Sequence, residues 1–285
     1  MINEMEYKMK GKLFLVATPI GNLEDITLRA IKILKEVDLI AAEDTRHTLK
    51  LLNHLQINKP LISYYKQNEK VKSSILIEKL LEGKNIALVS DAGTPAISDP
   101  GEEIVKEAIK NDINIVPIPG ACAAISALIS SWINSREFVF IGFLPVNKKE
   151  KTEKLEGIKD FKQTLILYEA PHKLINTLEV IKNVLGDRKI VLAREITKIH
   201  EEYLRGYLSE IQEKIYTPKG EFVIIIEGNN ENMNTERQQI LNNLSLEEHY
   251  DYYKNQNYEK KEIIKKIAKD RNTNKNEIYQ YFLKK

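Results

Sequence analysis

In the stretch LVSDAGTPAISDPG (88–101), nine of fourteen residues are Gly, Pro, Asp, Ser or Thr. An apolar run enters it and a helix-like run leaves it, so these residues form a constrained loop. The loop carries no Lys or Arg, which argues against a phosphate ligand, and Asp91 and Asp99 repel anions. Exposed backbone amides and carbonyls would suit a small zwitterion or cation. Two further loops have a similar make-up, TPIGNLED (18–25) and PIPGACAA (117–124). One such loop alone reads most simply as a tight turn shaped by Gly93, Pro95, Pro100 and Gly101. Three of them, each after a strand-like run, should gather at one edge of a parallel sheet and make a small-molecule site.

Titratable groups collect in three more places. AEDTRHT (42–48) sets Glu43, Asp44, Arg46 and His47 directly after a strand, a position for chemistry or for anchoring a substrate. The plainer reading makes Asp44 or Thr45 a helix N-cap. YEAPHK (168–173) and REITKIHEEYLRG (194–206) bring Tyr168, Glu169, Arg194, Glu195 and Lys198 to the ends of two strands expected to be neighbours. There they would face the first loops across a cleft, with capping and surface charge as the plainer alternative. No GxxxxGK[ST] is present and no GxGxxG follows a strand, so a P-loop is excluded and a standard dinucleotide site is disfavoured. No HxxH or HExxH spacing points to a metal, and His54 and His249 read as surface or helix residues. The single cysteine, Cys122, excludes an internal disulfide framework and a cysteine metal cluster.

The elements that position these groups alternate. KLFLVAT (12–18), VDLIAAED (37–44), NIALVS (85–90) and INIVPIPG read as strands. Helical patterns lie between them: TLRAIKILKEV, RHTLKLLNHL, residues 73–82, EEIVKEAIK and ACAAISALISS. That alternation calls for a parallel, doubly wound sheet. FVFIGFLP (138–145) leads out as a strand, followed by the polar run NKKEKTEK. A second α/β unit follows, with strands TLILYEA, KIVLARE, EYLRGYL and EFVIIIEG and the helix HKLINTLEVIKNVL closed by Gly186. Residues 228–239 read as a linker. The end of the chain divides into two short helices around a turn at 272–274, with apolar positions at Ile263, Ile264, Ile267, Ile278, Tyr281 and Phe282. The expected organisation is an α/β domain over 1–134, a second over 135–230 and a small basic helical domain over 240–285.

Charge is unevenly placed along the 285 residues. Residues 250–285 hold ten Lys or Arg against five Asp or Glu and six of the thirteen tyrosines. A basic, tyrosine-rich end on a slightly acidic body suits a polyanion such as RNA, with Lys260, Lys261, Lys265, Lys266 and Lys269 facing it. No apolar run approaches the ~18 residues of a membrane span. The start MINEMEYKMKGK has no apolar signal region, so a cytoplasmic protein without membrane association is expected.

TPIGNLEDITLRA, AAEDTRHT, SDAGTPAISDPG, PIPGACAAISAL, GFLP, YEAPHK, REITKIHEE and KGEFVIIIEG, in this order, resemble the ribosomal RNA small-subunit methyltransferase I family of the tetrapyrrole methylase superfamily. The resemblance runs from about Lys12 to Gly228, and the basic end is similar to the family's small C-terminal domain. It implies two α/β domains with S-adenosylmethionine bound in the cleft between them. It further implies 2′-O-methylation of a cytidine ribose in the decoding region of 16S ribosomal RNA, by a homodimer. Carried over by position, Pro19, Gly21, Asp91, Gly93, Thr94, Pro95 and Ile97 fall to the cofactor. So do Ala121, Cys122 and Ala123, together with Tyr168, Lys219 and Gly220. Ala121 stands where Pro is frequent and Ala170 where Ser or Thr is common. A general base would help the poorly nucleophilic hydroxyl. Glu43, Asp44 and Glu221 are carboxylates for that role, Lys198 would need a lowered pKa, and Arg46 would pair with an RNA phosphate or orient a carboxylate. The nearest rival is a methylase of a tetrapyrrole or another small molecule; an NAD-type oxidoreductase and a non-catalytic RNA-binding adaptor are more distant.

Overall fold

The structure is a computed structural model that describes residues 9–215, 218–229, 241–256 and 258–283. Short apolar runs become the first sheet: β1 (Leu13–Val16), β2 (Leu39–Ala42), β3 (Leu61–Ser63), β4 (Ile86–Val89) and β5 (Ile115–Ile118). All pair in parallel, in the order β3-β2-β4-β1-β5. Ile86, Ala87, Leu88 and Val89 of the central strand are all buried, as a sheet covered on both faces requires. Pro117 is tolerated because β5 is an edge strand, where a missing N–H costs no ladder bond. The crossovers are α1 (Leu28–Glu36), α2 (Thr45–His54), α3 (Glu69–Leu81) and α4 (Glu102–Lys110). One face of the sheet packs Leu76, Leu80 and Ile104; the other packs Leu34, Leu52 and Ile118.

After α5 (Ala123–Ile129) the chain enters a mixed sheet of β6 (Phe138–Phe143), β7 (Thr164–Glu169), β8 (Lys189–Arg194), β9 (Glu202–Tyr207) and β10 (Phe222–Ile226). Its order is β6-β7-β10-β8-β9; β6 and β7 run parallel, and the other pairs are antiparallel. The expected adjacency of the strands ending in Glu169 and Arg194 is therefore wrong. β10 lies between them, with Phe222 opposite both Glu169 and Arg194. β7 and β8 are each antiparallel to β10, so both still end at one edge of the sheet. The helices α6 (Lys148–Glu156), α7 (Pro171–Leu185) and α8 (Leu208–Gln212) belong to this half, and Leu155, Leu178 and Ile211 join the core on one face of the sheet. Ala124, Ala127 and Leu128 of α5 cover the other face, against Ile166, Val191 and Val223. Both sheets belong to one compact unit that ends at Gly228.

Three elements were not read from the sequence. The polar run after β6 forms α6, capped by the Asn147 side chain, and it buries Leu155 and even Lys151. The strand β3 and the short α8 carried too few residues to show a period. The linker expected over 228–239 lies outside the described residues from 230 onward.

The second compact unit holds α9 (Leu246–Lys254), α10 (Lys260–Asp270) and α11 (Lys275–Leu283). Ser245 and Glu248 form a reciprocal capping box at the start of α9, a helix that the two-helix reading of this end missed. Ile263, Ile264, Ile267 and Ile278 are buried as expected, with Tyr253 added, while Tyr281 stays 38% exposed. His249 is not a surface residue: it is fully buried, and its Nε2 lies 3.2 Å from Asp270 Oδ2. Lys260, Lys261, Lys265 and Lys269 are exposed, whereas Lys266 lies over the Tyr258 ring at 3.8 Å.

Candidate active site

Four neighbouring strands of the parallel sheet end at one edge, and their loops are joined by hydrogen bonds. Thr18 and Gly93 exchange backbone bonds of 2.9 and 3.0 Å, which zips the loop after β1 to the loop after β4. Thr94 Oγ1 donates to the Ala121 carbonyl at 3.1 Å, which ties in the loop after β5. Asp91 Oδ1 accepts the Asp44 N–H at 2.9 Å, which adds the end of β2. The convergence expected from composition is thus a bonded rim.

The second sheet supplies the opposite wall. Tyr168 Oη accepts the Ala124 N–H at 3.1 Å, which connects β7 to the start of α5. Phe140 and Phe143 meet the Tyr168 ring edge-on at 5.1 and 5.6 Å. Burial pushes the Tyr168 hydroxyl up to about 12, with Cys122 and Asp99 adding to the rise, so it stays protonated. Lys198 Nζ bonds Glu195 Oε1 at 3.0 Å and Glu221 Oε2 at 3.1 Å, and Glu195 Oε1 also accepts the Glu221 N–H. The Lys198 stem packs on Gly21, where an added Cβ would come within 2.4 Å of its Cγ. Thr197 Oγ1 reaches Asp25 Oδ2 at 2.6 Å, a second tie between the loop after β1 and the loop after β8.

Between these walls lies a cleft of about 570 Å³, within the usual range of ligand sites. Of the residues singled out in sequence, Asp91, Gly93, Thr94, Ile97, Cys122, Ala123, Tyr168, Glu43, Lys198 and Glu221 line it, as does Glu169. Pro19, Gly21, Pro95, Ala121, Lys219 and Gly220 are not among the lining residues, nor are Asp44 and Arg46. Composition missed Ser98, Phe143, Ile196, Phe222 and Val223, along with Pro171 of the YEAPHK turn, and it saw Asp99 only as a charge. Phe143 belongs to the GFLP motif and could have been drawn from it.

The charged groups divide into tethered and untethered. Asp44 caps α2 and chelates Arg46, with Arg46 Nη2 2.8 Å from Asp44 Oδ2, and these hydrogen bonds hold its carboxyl down at about 2. The capping reading therefore holds for Asp44. We expect Asp44→Ala to fray the first turn of α2 and to leave cofactor affinity unchanged by titration calorimetry. Burial pulls the Lys198 ammonium down, but Glu195 and Glu221 outweigh it and hold its pKa above the ordinary value. A lowered lysine is therefore not found there. Burial, followed by Asp99 and Asp91, raises Glu43. Glu169 is buried in a relay in which Lys151 Nζ donates to Thr177 Oγ1 at 2.7 Å and Thr177 donates to Glu169 Oε2 at 2.6 Å. Among the described residues, no trio of His, Cys, Asp or Glu is grouped to hold a metal ion.

A parallel sheet and a mixed sheet flanking a glycine-lined, phosphate-averse cleft define a tetrapyrrole methylase fold. The family described as Tetrapyrrole (Corrin/Porphyrin) Methylases matches residues 12–212. Diphthine synthase superimposes with a TM-score of 0.60 at 15% identity, covering 76% of this chain and 90% of that one. Uroporphyrin-III C-methyltransferase from Thermus thermophilus, complexed with S-adenosyl homocysteine, gives 0.54 at 18%, covering 75% and 97%. Two curated relatives are each named ribosomal RNA small subunit methyltransferase I. The protein from Halalkalibacterium halodurans is 50% identical over 96% of this chain and 95% of its own length. That from Bacillus subtilis is 48% identical over 95% and 94%. The chain belongs to the ribosomal RNA small subunit methyltransferase I family.

The cofactor of this family is S-adenosylmethionine, and the cleft fits it. Gly93 has φ +83°, and a Cβ there would meet Ile20 Cγ2 at 3.2 Å, so the backbone is bare where a ligand must approach. Among the described lining residues Lys198 is the one Lys or Arg, and it is already paired with two carboxylates. That leaves backbone polar groups, apolar walls and carboxyl groups such as Glu43, Asp91 and Asp99 for a ligand with a zwitterion and a sulfonium but no phosphate.

Proposed function

We propose that this protein methylates the ribose 2′-hydroxyl of a cytidine in the decoding region of 16S ribosomal RNA, acting as a cytoplasmic homodimer. The observation that carries the reading is the rim of three bonded glycine/proline loops around a cleft whose one Lys or Arg, among the described residues, is held by two carboxylates, in a chain half-identical to its named relatives along nearly their whole length. S-adenosylmethionine supplies an electrophilic methyl group when bound. Gly93, Thr94, Ile97, Cys122 and Ala123 would hold it from the first sheet, and Tyr168 from the second. Pro19, Gly21, Pro95, Ala121, Lys219 and Gly220 would support those loops without lining the cleft themselves. Arg46, with its side chain 88% exposed beside the Asp44 cap, is free to meet an RNA phosphate while keeping its intramolecular pair. The chain's contribution to the reaction is orientation and the exclusion of water.

Incubating the protein with radiolabelled S-adenosylmethionine and small subunits from a strain lacking this enzyme tests the proposal. Label should enter 16S RNA, and primer extension at low nucleotide concentration should pause at one cytidine. Label on a base, or on a tetrapyrrole but not on RNA, would overturn it. A protein truncated after residue 240 should bind the cofactor unchanged but bind subunits more weakly, with a shallower salt dependence. An unchanged salt slope would remove the basic helical unit from RNA binding.

A further inference from the structure

Most acid–base groups around the cleft are committed. Glu221 and Glu195 hold Lys198, and Asp91 accepts the Asp44 N–H. Glu169 takes the Thr177 hydroxyl and the Ala170 N–H. Glu43 accepts the backbone N–H of Asp91. Asp99 is the exception. It lines the cleft and, among the described residues, enters none of the ion pairs; the Ser90 hydroxyl beside it bonds the Ala92 and Gly93 carbonyls at 3.4 Å. It follows Ser98, which has φ +68°, and precedes Pro100. The backbone just before Asp99 thus holds a conformation that non-glycine residues rarely adopt. Three elements face it: its own loop with Asp91, the end of β2 with Glu43, and β7 with Tyr168. Across the same cleft stand His172, Lys198 and Glu221.

We propose that Asp99 is the proton acceptor for the substrate hydroxyl, an inference that rests on the methyl-transfer reading above. As the hydroxyl oxygen forms its bond to the methyl carbon, the carbon–sulfur bond breaks with its electron pair going to sulfur. The hydroxyl proton passes to the Asp99 carboxylate and from there to solvent. Burial, opposed by the Ser90 hydrogen bond and reinforced by Asp91, raises this carboxyl to about 6. It is therefore ionised at neutral pH, yet more basic than an exposed aspartate.

Single-turnover methylation of small subunits by the full-length protein tests the proposal, with cofactor affinity measured alongside. In the wild type the rate should rise with pH through about 6 and then level off. Asp99→Asn should lose about 10²–10⁴-fold in rate and lose that rising limb, while binding S-adenosylmethionine as tightly as before. Glu43→Gln should keep the limb. A second readout needs neither cofactor nor RNA. Because the folded pKa lies above the unfolded one, ionising Asp99 opposes folding as pH rises from about 4 to about 6. Asp99→Asn should therefore melt higher than wild type above pH 6, with the gain gone below about pH 4. An Asp99→Asn variant with normal rate and pH profile would overturn the proposal, as would one that has lost cofactor binding or shows no gain in melting temperature. A flat wild-type profile would overturn it independently of any variant. Wild type inactive on every RNA substrate would instead refute the methyl-transfer reading.

Discussion

Gly93→Leu is expected to weaken S-adenosylmethionine binding more than about a hundredfold, a loss of ~3 kcal/mol. Two effects combine. At φ +83° any L-side chain is strained by roughly 1–2 kcal/mol, and the strain falls on the residue that exchanges both backbone bonds with Thr18. The new side chain must also fit between Ile20 Cγ2 at 3.2 Å and the Ala121 carbonyl at 3.6 Å, both measured from its Cβ alone. Its remaining atoms then occupy the space the ligand needs. Gly93→Ala carries the strain with little of the bulk and should fall between wild type and leucine. Calorimetric titration separates the three, and an unaltered dissociation constant for the leucine variant would remove this loop from the cofactor site.

The second large effect lies behind the opposite wall. Thr177→Val keeps the shape of a fully buried side chain but deletes the hydroxyl that accepts from Lys151 and donates to Glu169. Lys151 is 6% exposed and Glu169 5%, so away from water Lys151 loses its acceptor and Glu169 one of its two donors, the Ala170 N–H remaining. Removing one member of such a buried network typically costs about 3–5 kcal/mol. For a protein of this size that corresponds to a fall in melting temperature of roughly 10 °C. Thr177→Ser, which keeps the hydroxyl, should recover most of the loss. A valine variant that melts within a degree or two of wild type would show that the relay does not support the sheet.

Four of the first sheet's five strands were legible because each is a short apolar run that ends in turn or polar residues, whereas β3, three residues long, was not. The second half was harder to read. α6 has one buried apolar residue, Leu155, and a buried lysine, which no hydropathy period reveals. Nothing local in EFVIIIEG states that it will insert between two earlier strands, because strand order is set by long-range pairing. At the site, Gly93, Thr94 and Tyr168 could be found because their residue types are unusual for a loop or a strand end. Asp99 was visible as a charge but not as a reactive group, since its burial depends on β2 and β7, both distant in sequence. Asp44 attracted attention for the same reason that made it a cap.

The central place of β10 also governs how the chain can be made. The parallel sheet has all five strands once Ile118 has emerged from the ribosome, and its crossovers are local. The mixed sheet must wait roughly a hundred residues more, because β7 and β8 never touch and share only β10 as a partner. At bacterial-like synthesis rates of about 5–20 residues per second, β7 and β8 spend several seconds with open edges. A nascent chain halted before Phe222 would thus carry a finished first half and a second half split into two strand pairs, β6–β7 and β8–β9, with no sheet pairing between them. Such a chain is a natural substrate for chaperones, and ribosome-bound intermediates of that length should be cut by protease within 164–207 while 12–118 stays protected.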